Sequence, residues 1–274
     1  MGHMIEDMLI RCHFNQEKYP GLNFTHSFSL QHGNCNTFAS FQDKSREKWT
    51  TVKAGPLYGL VLELDVQLHE YLNTTPVGGV KIMIHGNREM PFLEDAGVSV
   101  APGLYTSIGI RKTSKDWRIT LEDSIEENKN MFSQMGFDYS DSACQKTCFQ
   151  PNVYKACRCC ESSLPCIDDA LKKVTGHFMN SAIPYCNTLI PEIDDCVYKI
   201  ETTFSTNKLG CATACPPSCK QTTFATTIST GLWPTAAYKN LMLKRWYLNL
   251  NNLSNPSDDF TQSILRMEVF FTKA

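Results

Sequence analysis

Hydrophobic and polar side chains alternate over several short stretches, and each such stretch predicts a strand. Asn23 to Leu30 sets Phe24, His26, Phe28 and Leu30 two residues apart. Gly59 to Leu68 alternates strictly from Leu62 on and is the clearest strand of the chain. Gly79 to His85 carries Val80-Lys81-Ile82-Met83-Ile84, and Gly97 to Val100 and Leu104 to Ile110 are two more. The last two are parted by Ala101-Pro102-Gly103, a turn because proline presets φ and glycine accepts φ > 0. Gly33-Asn34 predicts another turn, ahead of Thr37-Phe38. Asp7 to Cys12 reads as the end of a helix or the entry to a strand.

Further along, the period lengthens. Ser140 to Ala156 can carry a helix, capped by Ser140 or Ser142 and broken or kinked past its middle by Pro151. Pro191 to Thr203 predicts a second helix. Pro191 suits its first turn, Glu192, Asp194 and Asp195 suit the positive end of its dipole, and Ile193, Val197 and Ile200 keep helical spacing. Thr222 to Ser229 reads as a strand, Trp233-Pro234 as a loop, Thr235 as the cap of a helix running to about Leu248, and Ile264 to Phe271 as a final strand. Strands, helices, strand, helix, strand is not a regular βαβ alternation. The fold class is therefore α+β rather than a doubly wound sheet.

Composition narrows the function classes. Of 274 residues 42% are hydrophobic, enough for a real core, so global disorder is excluded. The net charge of −2 argues against a nucleic-acid partner, which would call for a strongly basic face. No apolar run reaches the roughly 18 residues of a membrane span, and the N-terminus lacks the apolar core of a secretory signal.

Cysteine alters the picture. There are 13, of which 11 fall between Cys144 and Cys219, with Cys12 and Cys35 apart from them. A reducing cytosol sustains so dense a cluster only as metal ligands. Zinc modules usually offer paired C-x2-C knuckles, whereas Cys144/Cys148, Cys211/Cys215 and Cys215/Cys219 are four apart. In Cys157-Arg158-Cys159-Cys160 only Cys157 with Cys160 keeps knuckle spacing. Disulfides are favoured over zinc. An oxidising compartment without an export signal is a conflict that a piece of a longer chain resolves. Three sequons, at Asn23, Asn73 and Asn252, fit an extracellular surface.

Catalytic motifs are scarce. There is no Gly-x-Ser-x-Gly elbow and no phosphate loop. His69-Glu70 continues as Tyr71-Leu72-Asn73, not as a zincin helix. The carboxylates Glu122-Asp123, Glu126-Glu127 and Asp194-Asp195 read as solvated helix faces and first turns, with cation or proton sensing as the alternative. Trp233, Trp246 and Tyr247 read as core or contact anchors. No enzyme, cofactor or metal is implied.

Together these pieces resemble a known family. Asp7-Met8-Leu9-Ile10-Arg11-Cys12-His13-Phe14, Gly33-Asn34-Cys35-Asn36-Thr37-Phe38 and Gly59-Leu60 with Glu70-Tyr71-Leu72 resemble the extracellular region of degenerin/epithelial sodium channel subunits. So do Val80-Lys81-Ile82-Met83-Ile84-His85, Val100-Ala101-Pro102-Gly103, Ala143-Cys144-Gln145-Lys146-Thr147-Cys148, Cys215-Pro216-Pro217-Ser218-Cys219 and Ile264 to Phe271. Trp233-Pro234 and the extra Cys160 and Cys166 look more like invertebrate members, such as nematode degenerins.

The resemblance implies a palm sheet and β-ball with a disulfide-stapled helical thumb and a short knuckle helix. It assigns 1–13 to the end of a finger helix and 14–110 to palm and β-ball. It assigns 111–221 to the thumb and 222–274 to palm return strands with a knuckle helix at 235–248. It implies the bridges Cys144–Cys215, Cys148–Cys211, Cys157–Cys196 and Cys159–Cys186, to which proximity adds Cys160–Cys166. The family partner of Cys35 would lie upstream of Met1, that of Cys12 falls on Tyr19, and 107–142 hold none for Cys219.

The family assembles homo- or heterotrimeric, amiloride-sensitive sodium channels of the plasma membrane. Their extracellular part responds to protons, force, or a peptide or matrix ligand. By that comparison the chain begins within the last finger helix and ends before the second membrane helix, as a gating region without either span. Glu70 matches an acidic, proton-sensing position, but the facing thumb positions fall on Lys199 and Thr203. A carboxylate pair that does not form shares no proton, so acid sensing through that pocket is not expected. The competing readings are a secreted, pore-less decoy of the same fold and a disulfide-rich extracellular enzyme.

Overall fold

The computed structural model describes residues 3–19, 24–29, 32–41, 49–73, 75–116, 131–166, 183–218, 220–247 and 262–273. A short helix, α1 (Ile5–Met8), leads into β1 (Leu9–Phe14), β2 (Glu17–Tyr19), β3 (Phe24–Ser29), β4 (Gly33–Phe38), β5 (Leu60–Asp65) and β6 (Val80–Ile82). Then come α2 (Leu93–Ala96), β7 (Val98–Val100), β8 (Leu104–Asp116), α3 (Asp141–Cys157), α4 (Pro191–Ser205) and α5 (Cys211–Ala214). The last elements are β9 (Lys220–Leu232), α6 (Ala236–Tyr247) and β10 (Ile264–Phe271).

Six strands form one sheet in the order β2-β1-β5-β10-β8-β9, and β3–β4 and β6–β7 are separate ribbons. Only β10 and β8 run parallel among the paired strands of the sheet. The strict alternation of β5 explains its central place. Leu62 and Leu64 turn one way, into a core shared with Cys12, Val66, Val100, Leu265 and Met267, while Glu63 turns to the opposite face. Val80 and Ile82 of β6 pack on that apolar core. Gly59 precedes β5 where the backbone of β10 passes closest: a Cβ there would stand 2.3 Å from the Val269 carbonyl oxygen.

The structure amends several sequence expectations. Asp7 to Cys12, read as a helix end or a strand entry, is both: among the described residues of 1–13 the chain is helical over Ile5–Met8, and Leu9–Phe14 is a strand paired with β5. Gly33 and Asn34 open β4 rather than forming a turn, Gly33 supplying φ 74° at its start. The strands at 104–110 and 222–229 both lengthen to 13 residues and pair throughout. Beyond Ile110 the β8 side of this ribbon is solvent-exposed, so its Lys, Arg and Thr side chains need no alternation. Pro151 lies inside α3 without ending it. Val153 and Tyr154 beyond the proline are buried as firmly as Ala143 and Cys144 before it. Packing on both sides offsets the one backbone hydrogen bond that proline deletes.

Candidate functional site

The cysteine-rich unit is built on α3. Ser140 is its N-cap, its Oγ accepting a hydrogen bond from the Ala143 backbone N–H at 3.2 Å. Spacing of four puts Cys144 and Cys148 on one helical face. From that face Cys144 joins Cys215 and Cys148 joins Cys211, both on or beside α5, with Cα separations of 5.8 and 5.7 Å. At its far end Cys157 joins Cys196 of α4. Cys159 joins Cys186, and Cys160 closes a short loop to Cys166. These are the pairs set out above from the family and, for the last, from proximity. Between the bridges lies an apolar core of Phe132, Phe149, Val153, Leu164 and Val197.

One buried amide organises the loop after α3. Gln150, 2% exposed, donates from Nε2 to the Glu161 carbonyl at 3.1 Å, and its Oε1 accepts from the Glu161 N–H at 3.0 Å. It thereby satisfies backbone groups that no strand or helix reaches.

The unit is tied to the β part by a clamp that sequence reasoning missed. Lys146, on the first half of α3, is 16% exposed. Its Nζ lies 2.6 Å from Glu94 Oε1 and 3.5 Å from Asp95 Oδ1, both on α2, and 4.5 Å above the Phe92 ring. Phe92 in turn meets Phe132 edge-on at 5.4 Å. Burial by itself would raise the Glu94 pKa. The hydrogen bond and charge of Lys146, the Glu94 backbone N–H and His32, 3.8 Å away, outweigh it and hold the carboxyl below its ordinary value. A second, exposed tie joins Arg88 Nε to Asp138 Oδ1 at 3.0 Å, and Tyr139 Oη donates to the Pro216 carbonyl at 2.7 Å. Nothing local in the chain signals the clamp, since Lys146 and Glu94 stand 52 residues apart and meet only in the fold.

Glu70 sits elsewhere. It ends a 3-10 turn, Leu68–Glu70, is 55% exposed, and lies 3.5 Å from His3 Nδ1 and 3.8 Å from His69 Nε2. His3 stacks on Tyr71 with ring centroids 6.2 Å apart. Lys199 and Thr203 share α4, where the Thr203 hydroxyl donates to the Lys199 carbonyl at 2.7 Å. Asn73 is exposed. Asn23, Asn252, Cys219, Trp246, Tyr247 and the carboxylates at 122–127 lie outside the described side chains. Asp194 and Asp195 are exposed in the first turn of α4.

Two thiols are free among the described residues. Cys12 stands directly across from Tyr19 in the β1–β2 pair, so the position that would carry its family partner is adjacent in space and holds a phenol instead. Burial pushes the Cys12 thiol up to about 11 and raises Cys35 as well, which leaves both protonated and poor nucleophiles at neutral pH. Among the described residues no His, Cys, Asp or Glu cluster has metal-binding geometry, and no helix is long and apolar enough to cross a membrane.

A helical arm pinned by five disulfides and clamped by charge to α2, together with a mixed sheet, defines an α+β domain of an oxidising compartment. The family model of the amiloride-sensitive sodium channel matches residues 1–274, and the chain belongs to that family. It is 26% identical over 279 residues to the epithelial sodium channel subunit alpha of Xenopus laevis, covering 98% of this chain and 40% of that protein. Against the alpha subunit of Gallus gallus it is 27% identical, and against the gamma subunit of Oryctolagus cuniculus 29% over 252 residues. The chain thus spans about two fifths of the length of the alpha subunits it matches. These relatives are ion-channel subunits rather than enzymes.

Proposed function

We propose that the chain is the extracellular gating region of a trimeric, amiloride-sensitive sodium channel subunit at the plasma membrane. The observation that carries this reading is the family match over 1–274. In this reading the six-stranded sheet is the palm, the stapled unit of α3, α4 and α5 within 111–221 is the thumb, and α6 within 235–248 is the knuckle. The relatives include alpha, beta and gamma subunits, which supports assembly with like or unlike subunits. The thumb acts as a stiff lever because its bridges leave the helices little freedom against one another. Motion imposed on it by force or by a peptide or matrix ligand passes through the Lys146 clamp to the sheet. In this reading glycans at Asn23, Asn73 and Asn252 mark its outer surface, and Trp233-Pro234 with the Cys160–Cys166 loop is what supports a likeness to invertebrate members.

Acid does not act through Glu70 in this reading, since the facing thumb positions carry no carboxylate. Two measurements test the proposal. A chimera of the Xenopus alpha subunit, with residues 3–273 of this chain replacing the matched region, is expected to give an amiloride-sensitive sodium current in oocytes. A chimera that reaches the cell surface without current, or a secreted native product that suppresses the current of other subunits, would favour the decoy. Proton-gated current abolished by Glu70→Gln would refute the statement about acid.

A further inference from the structure

One ring nitrogen at the α2–α3 clamp is buried without a hydrogen bond. His32 immediately precedes β4, and its backbone N–H donates to Ser29 Oγ at 3.2 Å across the end of the β3–β4 ribbon. Its side chain is 20% exposed, and Nε2 meets neither water nor a hydrogen-bond partner. That nitrogen faces Glu94 Oε2 at 3.8 Å, beyond hydrogen-bond reach but within ion-pair range. The other carboxylate oxygen, Oε1, already holds Lys146 Nζ. One carboxylate of α2 therefore has an ammonium of α3 at one oxygen and an imidazole of the ribbon at the other.

Each element at this joint brings its own charges. From α2 come Glu94 and Asp95, the latter 3.5 Å from Lys146 Nζ, and from α3 comes Lys146. The other titratable side chains of the ribbon are His26, whose ring bonds Asn36, and Cys35. Among the described residues Glu94 is the ion-pair neighbour of His32, and the side-chain charges acting on Glu94 are those of Lys146 and His32. While the ring is neutral, Nε2 stays orphaned, and a buried polar atom without a partner is costly. A proton on the ring makes Nε2 a charged donor aimed at a carboxylate. A small side-chain movement then closes the gap to a charge-assisted hydrogen bond. Histidine is the side chain that ordinarily changes charge between about pH 5 and 8.

We propose that His32 is a proton-operated latch: its imidazolium docks on the outer oxygen of Glu94 and fastens the β3–β4 ribbon to the α2–α3 joint, and the neutral ring lets the ribbon go. The latch needs a charged ring and an ionised Glu94 together. It is lost as pH rises and the ring gives up its proton. It is lost again in stronger acid, as pH falls through the Glu94 value, which lies below the ordinary 4.5. The ribbon is therefore held most firmly in mildly acid solution. This device stands apart from Glu70 and rests on the fold alone, whether or not the chain gates a channel.

The test is hydrogen exchange of the 274-residue chain across pH, corrected for the intrinsic exchange rate and read over 33–38. Residues 60–65 of β5, which the latch does not touch, serve as the internal reference. Protection of the ribbon relative to β5 is expected to rise about fivefold from about pH 7.5 to about pH 5.5, and to fall again in stronger acid. In His32→Gln, which keeps the backbone bond to Ser29 but takes up no proton, the rise should vanish. In His32→Lys, charged throughout this range, the ribbon should already be protected at the higher pH and stay so. Glu94→Gln should abolish the rise with His32 intact. Should one variant fail to fold, either of the others decides. A wild-type chain whose ribbon shows no rise overturns the latch. So does a rise of wild-type size in His32→Gln, His32→Lys or Glu94→Gln.

Discussion

The helical arm and the six-stranded sheet are held by different physics. The arm carries all five disulfides, and its helices meet through a modest core with much of α4 in solvent. The sheet has none among the described residues. It relies on an apolar face around Leu62, Leu64, Leu265 and Met267 and on the Arg11–Glu63–Arg266 row behind it. Cross-links act mainly by restricting the unfolded chain, whereas the sheet is stabilised by burial and pairing in the folded one. In the function proposed above the arm is a lever, which must keep its shape while its far end moves, and covalent staples meet that need with little core. A platform strained from several sides needs a continuous core instead.

Reduction should break this contrast most sharply. Each native bridge is worth about 2–4 kcal/mol, so losing all five leaves α3 and α4 without the means to hold together. Hydrogen exchange after mild reduction is expected to show lost protection over 141–157 and 191–205 while 60–65 and 264–271 remain protected. Equal loss in both regions would mean that the sheet depends on the arm for its stability.

The converse experiment perturbs the sheet. Glu63→Gln leaves two half-buried guanidiniums facing each other without a counterion. Breaking a buried ion pair this way costs about 3–5 kcal/mol. The expected outcome is early exchange in β1, β5 and β10 with the arm retained by its bridges. A loss below about 1 kcal/mol by denaturant titration would mean that water already screens the row as it does surface pairs.

How much of this was legible varies with the distance over which information travels. Alternation within β5 and the cap at Ser140 are local, and both appear where the chain places them. The disulfide partners were not readable from spacing, since ten half-cystines allow many pairings. The family resemblance supplied four of them, and proximity in the chain the fifth, Cys160–Cys166. The Glu63 row was out of reach because Arg11, Glu63 and Arg266 meet only through the register of three strands. The end of β8 was misjudged for a different reason. Lys112 and Lys115 lie on a ribbon wet on both faces, where hydrophobic alternation carries no signal. Leu9–Phe14 was ambiguous because six residues with one buried cysteine fit either period.

The joint between the two regions gives the smallest expected effect and the most informative one. Lys146→Met keeps the aliphatic stem over Phe92 but removes the charge shared by Glu94 and Asp95. Charge-assisted hydrogen bonds of this kind contribute about 1.5–3 kcal/mol, so the loss is moderate and the arm stays folded. Acid reaches the same joint by another route, and its sign is fixed. Glu94 has a lower pKa folded than unfolded, where 4.5 is the ordinary value. Its contribution is therefore complete above that value and is lost as pH falls through the depressed folded one. Between pH 7 and 5 the clamp holds. Below about pH 4.5 the wild-type chain should lose stability more steeply than Lys146→Met, whose Glu94 has already lost the lysine that depressed it. Parallel acid titrations of the two proteins, followed by exchange at the α2–α3 contact, decide it. Curves that run parallel throughout would place the acid-sensitive coupling between arm and sheet somewhere other than Glu94.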